Sequence, residues 1–242
     1  METNKDVKNG VNNLLNKNCI SIKSSWEFIN KNTTDMTDFL IIDSIKYPLF
    51  YWRSDPQIEA VARNAIKNIG GSVSLKISGL IRKNYRIDAF LYKALDSAEW
   101  ILDSEIKKIT AYFNTNAVNV TLLMKNDKVA LLELSSSLPD GIEEQTRYTA
   151  WGKEGMESSR VVSTKTRPQS VYMFKDDKTY EFNDSTLELY GLSYEDSIKA
   201  VEIFKVLKEE RNIKNNLERD KKLRFYIEKA HESSDKNKCI EL

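Results

Sequence analysis

A single histidine, His231, stands in the 242 residues. That scarcity nearly excludes a multi-histidine metal site, and a Ser-His-Asp triad would have to take its base from a charged C-terminal stretch. Cysteine is almost as rare. Cys19 and Cys239 lie near opposite ends, which offers no disulfide framework and no C-x-x-C site, and points to a reducing, cytoplasmic setting. Charge of one sign is missing too: 37 basic residues face 36 acidic ones. No global basic field would pull the chain onto nucleic acid or anionic lipid. No apolar run reaches about 18 residues, so no membrane span is expected. The opening METNKDVKNG is polar and has no signal-peptide core.

What is present is core material. Apolar residues make up 40% of the chain, with Trp, Tyr and Phe spread throughout, which argues for a folded domain rather than disorder. The strongest pattern is IDAFLYKALDSAEWIL. Ile87, Phe90, Leu91, Ala94, Leu95, Ala98, Ile101 and Leu102 recur in steps of three and four, the stripe of a buried helix face. Ala89, Lys93, Asp96 and Ser97 flank that stripe. Ile106–Phe113 then alternates, as a half-buried strand does.

Around this centre the chain reads in order. Residues 1–18 are Asn/Lys-rich and expected to be loosely packed. Ser24–Asn30 reads as a short helix capped by Ser24 or Ser25. Asp38–Asp43 and Pro48–Trp52 read as one strand or two. A helix starts at Pro56 and stops at Gly70-Gly71, and Ser72–Ile81 alternates as a strand. Ala117–Met124, Val129–Ser136, Ile142–Trp151 and Met156–Ser163 are four further strands. Ser170–Phe174 and Thr179–Phe182 form a hairpin around Asp176-Asp177. Tyr194 to about Ser233 reads as helix, apolar-striped at first and charged later. Short links favour antiparallel neighbours. The expected fold class is α+β: an open, predominantly antiparallel sheet, helices packed on one face, and a long C-terminal helix.

Several stretches carry a resemblance. ALDSAEWILDSEIKKITAYF resembles the helix-strand junction of Gfo/Idh/MocA-type oxidoreductases, with its H-x-x-D-x-x-x-x-L helix. VTLLMKNDKVALLELSSSLPDG resembles that family's hairpin, TRYTAWGKEGM its glycine turn, and LSYEDSIKAVEIFKVL its last helix. Trp52-Arg53-Ser54-Asp55-Pro56 is similar to the R-F-x-P stretch between its domains. Order and spacing over Leu49–Leu207 make the match specific, and it covers two-thirds of the chain. It implies a C-terminal, substrate-side and oligomerisation domain over 49–207. Residues 1–48 would then be a remnant of a nucleotide-binding domain, with Asn16–Ser21 standing where the family has Glu-Lys-Pro. Residues 208–242 would be a charged helical extension.

Two departures qualify what the resemblance implies. The family binds NAD(P) through a glycine-rich turn. The eight glycines here, at 10, 70, 71, 79, 141, 152, 155 and 191, include no set at i, i+2 and i+5. This chain alone is therefore expected to bind no cofactor, and NAD(P) enters only with a partner subunit. Secondly, the position of the family's acid/base histidine falls on Lys93, and the aspartate preceding it on Ala89. A lysine could donate a proton only if desolvation lowered its pKa, and Asp96 at i+3 opposes that.

The residues singled out are therefore these. Lys93 and Asp96 stand as catalytic candidates, the alternative being a helix-flank ion pair. Trp52, Arg53, Arg82 and Tyr85 are substrate-binding candidates, the alternative being core for Trp52 and surface charge for the arginines. Arg147, Arg160 and Arg167 could make an anion pocket or be solvated. Gln145, Arg147, Thr149 and Trp151 share one strand face that is either an oligomer interface or solvated. No metal ligands are assigned. The tail Lys208–Arg224 holds seven basic and four acidic residues, and interleaved signs read as a solvated helix rather than a nucleic-acid site. Two functions from different classes follow. One is the substrate-binding and oligomerisation subunit of a Gfo/Idh/MocA-like oxidoreductase whose NAD(P)-binding domain another chain supplies. The other is a non-catalytic relative acting as a partner- or ligand-binding scaffold. Either is a homo- or hetero-oligomer through the open sheet face, without nucleic acid or membrane.

Overall fold

The structure, a computed structural model, describes residues 2–31, 35–67, 69–83, 85–139, 142, 144–159, 171–175, 178–182, 189 and 191–242; in 2–4, 64–67, 72, 73, 171–175 and 178–182 the description is of the backbone. In chain order the elements are helix α1 (Glu2–Lys17), strands β1 (Trp26–Ile29), β2 (Asp38–Ile42) and β3 (Ile45–Leu49), and a 3-10 turn at Tyr51–Ser54. Helix α2 (Pro56–Lys67), strand β4 (Ser72–Arg82) and helix α3 (Ile87–Leu102) follow. Next come β5 (Ile106–Asn114), β6 (Ala117–Met124), β7 (Val129–Leu138), β8 (Gln145–Gly152), β9 (Met156–Ser159), β10 (Val171–Lys175) and β11 (Lys178–Phe182). Helices α4 (Tyr194–Leu207) and α5 (Asn216–Lys236) and a short strand β12 (Ile240–Glu241) close the chain. By its contacts the chain forms two compact units, Met1–Asp55 with Ser185–Lys222, and Pro56–Asp184 with Leu223–Leu242. This division differs from the boundaries at 48/49 and 207/208 drawn from sequence.

The first unit holds most of the departures from the sequence reading. Its N-terminus is a helix with a buried face, not a loose segment. Val7, Val11, Leu14 and Leu15 are buried at helical spacing, and α1 packs on α4. The polar residues between them hid that stripe. Ser24–Asn30 is not a capped helix. Its centre is β1, paired antiparallel to β2 with Trp26 opposite Ile42 and Phe28 opposite Leu40. The backbone N–H of Ser25 donates to Asp43 Oδ1 at 3.1 Å, so an apparent cap signal anchors a hairpin. The second strand region is a true hairpin, β2–β3, turned by Asp43 and Ser44 at φ 47° and 69°, the left-handed pair that a two-residue hairpin loop needs. Tyr51 and Trp52, expected in strand, lie in the 3-10 turn. The single helix expected from Tyr194 to about Ser233 is two helices, α4 and the longer α5. After Leu207 the chain leaves the helix at Glu209, φ 63°, and the backbone N–H of Lys214 is taken by Asn212 Oδ1 at 2.9 Å. Asparagine side chains compete for backbone donors and so favour such breaks.

The second unit follows its sequence pattern more closely. Among the described residues its sheet has nine strands in the order β11-β10-β9-β8-β4-β7-β6-β5-β12. Pairing is antiparallel except that β4 runs parallel to β7. Strand β4 thus sits between β7 and β8 instead of beside its sequence neighbours, and β8 begins at Gln145, three residues later than expected. The hairpin β10–β11 is formed; Arg160, Arg167 and the Asp176-Asp177 turn lie outside the described residues. One face carries Leu75, Ile77, Leu132, Leu134, Val120, Leu122, Ile109, Tyr148 and Ala150, all buried and joined in register across β8, β4, β7, β6 and β5. Helices α2 and α3 contact this sheet. The other face alternates polar and half-exposed residues. This is the α+β, largely antiparallel architecture with its long C-terminal helix.

Three glycines make the packing possible. Gly70 and Gly71 take φ 68° and 81°, which ends α2 and turns the chain into β4 at little steric cost. Gly79 serves by having no side chain: a Cβ there would lie 2.0 Å from Phe90 Cζ. The Phe90 ring lies directly on the strand backbone. Gly79→Ala is expected to lower stability by about 1–3 kcal/mol through overpacking. Urea unfolding checks this, and the loss should shrink when Phe90→Leu is combined with it.

Candidate functional site

The 3-10 turn of the first unit is tied to α4 by a buried polar cluster that sequence reasoning did not identify. Lys199 Nζ lies 3.1 Å from Asp38 Oδ2 and 2.9 Å from Glu195 Oε1, with its side chain 8% exposed. Tyr51 Oη donates to the same Glu195 oxygen at 2.9 Å. Asp38 also accepts the Lys31 backbone N–H at 2.7 Å. Burial pulls the Lys199 ammonium toward its neutral form, but the Glu195 and Asp38 carboxylates outweigh it and raise its pKa above the ordinary lysine value. Beside it, Ser54 Oγ donates to Glu202 Oε2 at 2.6 Å, and Arg211 Nε is 3.3 Å from Glu202 Oε1. Burial raises the Glu202 pKa against the opposing pull of Arg211 and the Ser54 hydrogen bond. Tyr194 Oη donates to Asp55 Oδ1 at 3.0 Å.

These charges serve the fold. Lys199 is held protonated and cannot act as a proton donor near neutral pH. Glu202 holds a proton more readily than a free carboxylate, but at 2% exposure it cannot touch a substrate. A signal existed in the sequence: Lys199 and Glu202 fall at helical spacing with the buried Ile203 and Val206 of α4. Their partners at Asp38 and Ser54 lie about 150 residues away in sequence, and no local pattern links them.

The singled-out residues divide between the two units. Trp52 and Arg53 belong to the first. Trp52 is 1% exposed, with its ring 5.5 Å from Phe50 and 5.2 Å from Tyr51. Arg53 is half-buried, its guanidinium 4.6 Å over the Phe50 ring. The others belong to the second unit. Arg82 ends β4 and accepts the Tyr85 backbone N–H on its carbonyl at 3.0 Å, so a tight turn brings these two together just before α3. Both are exposed. Lys93 lies on α3, about 9 Å along the axis from Ile87 at ~1.5 Å per residue, and is half-buried. Asp96 is fully buried. Ser97 Oγ donates to the Lys93 carbonyl at 2.8 Å, which fixes that hydroxyl within the helix.

Gln145, Arg147, Thr149 and Trp151 project from β8 on the face that is helix-free among the described residues, opposite Leu80, Ser78, Lys76 and Ser74 of β4. Arg147 Nε donates to Ser158 Oγ at 3.3 Å, and Thr149 Oγ1 is 3.0 Å from the same hydroxyl. Lys76 pairs with Glu133 of β7 at 2.8 Å. Trp151 is 37% exposed, Leu131 38% and Tyr112 56%. The face is therefore a polar lattice with large apolar groups standing in it. Among the described residues, no group of three His, Cys, Asp or Glu is placed to hold a metal ion, and no helix is long and apolar enough to cross a membrane.

No protein-family model matches the chain, and no curated protein matches it. Solved structures do. An oxidoreductase from Agrobacterium radiobacter, crystallised with NAD+, L-tartaric acid and magnesium, superposes with a TM-score of 0.63 at 16% identity, over 79% of this chain and 63% of that one. A myo-inositol dehydrogenase from Corynebacterium glutamicum gives 0.59 at 21% identity, over 80% and 63%. A levoglucosan dehydrogenase in complex with NADH and L-sorbose gives 0.62 at 14%, over 79% and 64%. The shared fold is that of these oxidoreductases and dehydrogenases. At these identities the likeness is one of fold, and the chain spans less than two-thirds of the length of each of these three structures.

The dinucleotide that the resemblance implies would bring a pyrophosphate to the chain. A pyrophosphate needs close backbone approach at a helix N-terminus. Gly70 and Gly71 follow the C-terminal end of α2, the wrong end of the dipole. The turn from β4 into α3 contains Lys83, Tyr85 and Arg86 and no glycine. The start of α4 is already capped by Ser193, whose Oγ accepts the Asp196 N–H at 3.1 Å, and carries Glu195 and Asp196.

Lys199→Met should cost about 3–5 kcal/mol, the penalty for stranding a buried carboxylate. Adding Asp38→Asn should recover a large part of it. Chemical denaturation of the single and double variants measures both, and an unchanged single-variant midpoint would mean the pair contributes nothing.

Proposed function

We propose that this chain is the substrate-binding and oligomerisation part of a Gfo/Idh/MocA-like oxidoreductase whose NAD(P)-binding domain comes from another chain. The observation that carries the reading is the fold that about 80% of this chain shares with these dehydrogenases. The absence of a glycine-rich turn in the sequence supports it, since the shared sheet then comes without a phosphate cradle. Substrate is met by the exposed Arg82 and Tyr85 beside the N-terminus of α3. Lys93, where the family has its histidine, orients an oxygen-bearing substrate by charge and hydrogen bonding. The substrate class follows from the resemblance alone: a sugar or cyclic polyol.

The isolated chain should give no saturable quenching of Trp fluorescence on titration with NADH, and micromolar saturation would overturn the proposal. A Rossmann-containing subunit should co-purify stoichiometrically from native cells. In that pair Lys93→Ala should slow turnover by roughly 100-fold, the scale for misplacing a bound substrate.

Oligomerisation is assigned to the helix-free face, because Trp151, Leu131, Leu80 and Tyr112 would otherwise leave large apolar groups in water. Light scattering should report a dimer or larger species for the full chain. Trp151→Lys combined with Leu131→Lys should halve the mass while far-UV circular dichroism stays constant.

A further inference from the structure

The ten residues at the C-terminus do something that neither the oxidoreductase reading nor the open face requires. Among the described residues, strand β5 is next to last in the nine-stranded sheet, and its outer side meets chain from the C-terminal extension. β12 pairs antiparallel with it, Ile240 opposite Ile109 and Glu241 opposite Lys108. The Leu242 backbone N–H donates to the Lys107 carbonyl at 3.0 Å. Beyond β12 the covering changes from strand to side chain. The Ala111 N–H donates to Ser233 Oγ, and the Phe113 N–H to Ser234 Oγ, each at 3.0 Å. These hydroxyls sit in the last turn of α5, where a backbone ladder could not continue.

The arrangement is fastened at several points. Ser233 is fully buried and its hydroxyl donates onward to the Lys238 carbonyl at 2.6 Å. His231 stacks on Phe113 at 4.0 Å and lies 2.9 Å from Asp88. Tyr226 Oη donates to Glu99 Oε1 at 2.9 Å, and that same carboxylate oxygen accepts the Ile106 N–H that opens β5. Lys108 pairs with Glu241 at 3.4 Å. From residue 107 to 113 every second residue of that edge is therefore engaged. An uncovered edge of this composition, Ile109, Thr110, Ala111, Tyr112 and Phe113, is a template for another strand.

We propose that Ser233–Leu242 is an edge guard: it occupies the outer side of β5 and prevents that strand from pairing with the β5 of a second copy. A second copy is the fitting occupant because two identical edges pair antiparallel about a two-fold axis with no further sequence requirement. The extension also joins the edge by one short two-residue strand and two hydroxyls, fewer contacts than a full-length strand would make, so a matched β5 replaces it once it is detached.

Hydrogen exchange and light scattering on the full chain and its variants test this. In the full chain the Ala111 and Phe113 amides are slow to exchange. Ser233→Ala with Ser234→Ala should speed both by about tenfold, the scale of one lost hydrogen bond, with β6 and β7 amides unaffected. Removal of Asn237–Leu242 should add assemblies larger than the full-chain species, growing with concentration. Phe113→Pro in that shortened chain takes the edge donor away without touching the β6 ladder and should return the full-chain mass. Unchanged exchange in the serine variant overturns the proposal, as does a shortened chain with full-chain mass at every concentration, or assembly that survives Phe113→Pro. Should the shortened chain fail to fold, Ser234→Ala in the full-length chain decides: concentration-dependent growth supports the guard, and constant mass overturns it.

Discussion

The second unit depends on β4 being held on three sides. It is bonded to β7 in parallel and to β8 in antiparallel register, and Phe90 of α3 rests on its backbone at Gly79. A parallel pair cannot be joined by a hairpin. The connection from β4 to β7 therefore has to travel through α3, β5 and β6, which places α3 against the sheet and spreads the antiparallel meander beyond it. The absence of one side chain, at residue 79, lets helix and strand come close enough for the core to close. Leu75, Ile77, Leu91 and Leu95 are then buried as a consequence.

Charge is used differently in the two units. In the first, the buried ions are partnered: Lys199 lies between Asp38 and Glu195, and Glu202 between Ser54 and Arg211. Such pairs add little net stability but penalise any arrangement that separates them, so they specify how α4 meets the 3-10 turn. In the second, the charges of Arg82, Arg147, Lys76 and Glu133 stand at the surface of the sheet or its ends, accessible to a ligand or another surface. Reactive or recognising groups need that accessibility, which is why the half-exposed Lys93 is a better candidate than the fully protonated, buried Lys199.

Legibility in the sequence followed how local each cause was. The helix at Ile87–Leu102, the strand after it, and the stop at Gly70-Gly71 rest on spacing and turn chemistry within a few residues, and these agree with the structure. The N-terminal helix and β1 misled because their signals were weak and their partners distant: Val7 and Val11 acquire a meaning only against α4, and Trp26 only opposite Ile42. Lys208–Asn215 kept a helical composition, yet Asn212 and a left-handed Glu209 ended the helix there. The candidate site was legible one residue at a time. Which residues meet was not, since Lys199 finds Asp38 only through the fold.

A sheet can be joined through its face or through its edge, and the two carry different risks. Face-to-face contact uses side chains, so its partner is selected by shape and charge; here Trp151 and Leu131 stand among Arg147, Lys76 and Glu133, a surface that discriminates. Edge contact uses backbone groups that every strand possesses, so it selects almost nothing. The chain leaves the discriminating surface open and spends two serines and a terminal strand closing the other at β5. That asymmetry is what a protein needs if association is part of its work, because the specific route stays available only while the unspecific one is blocked.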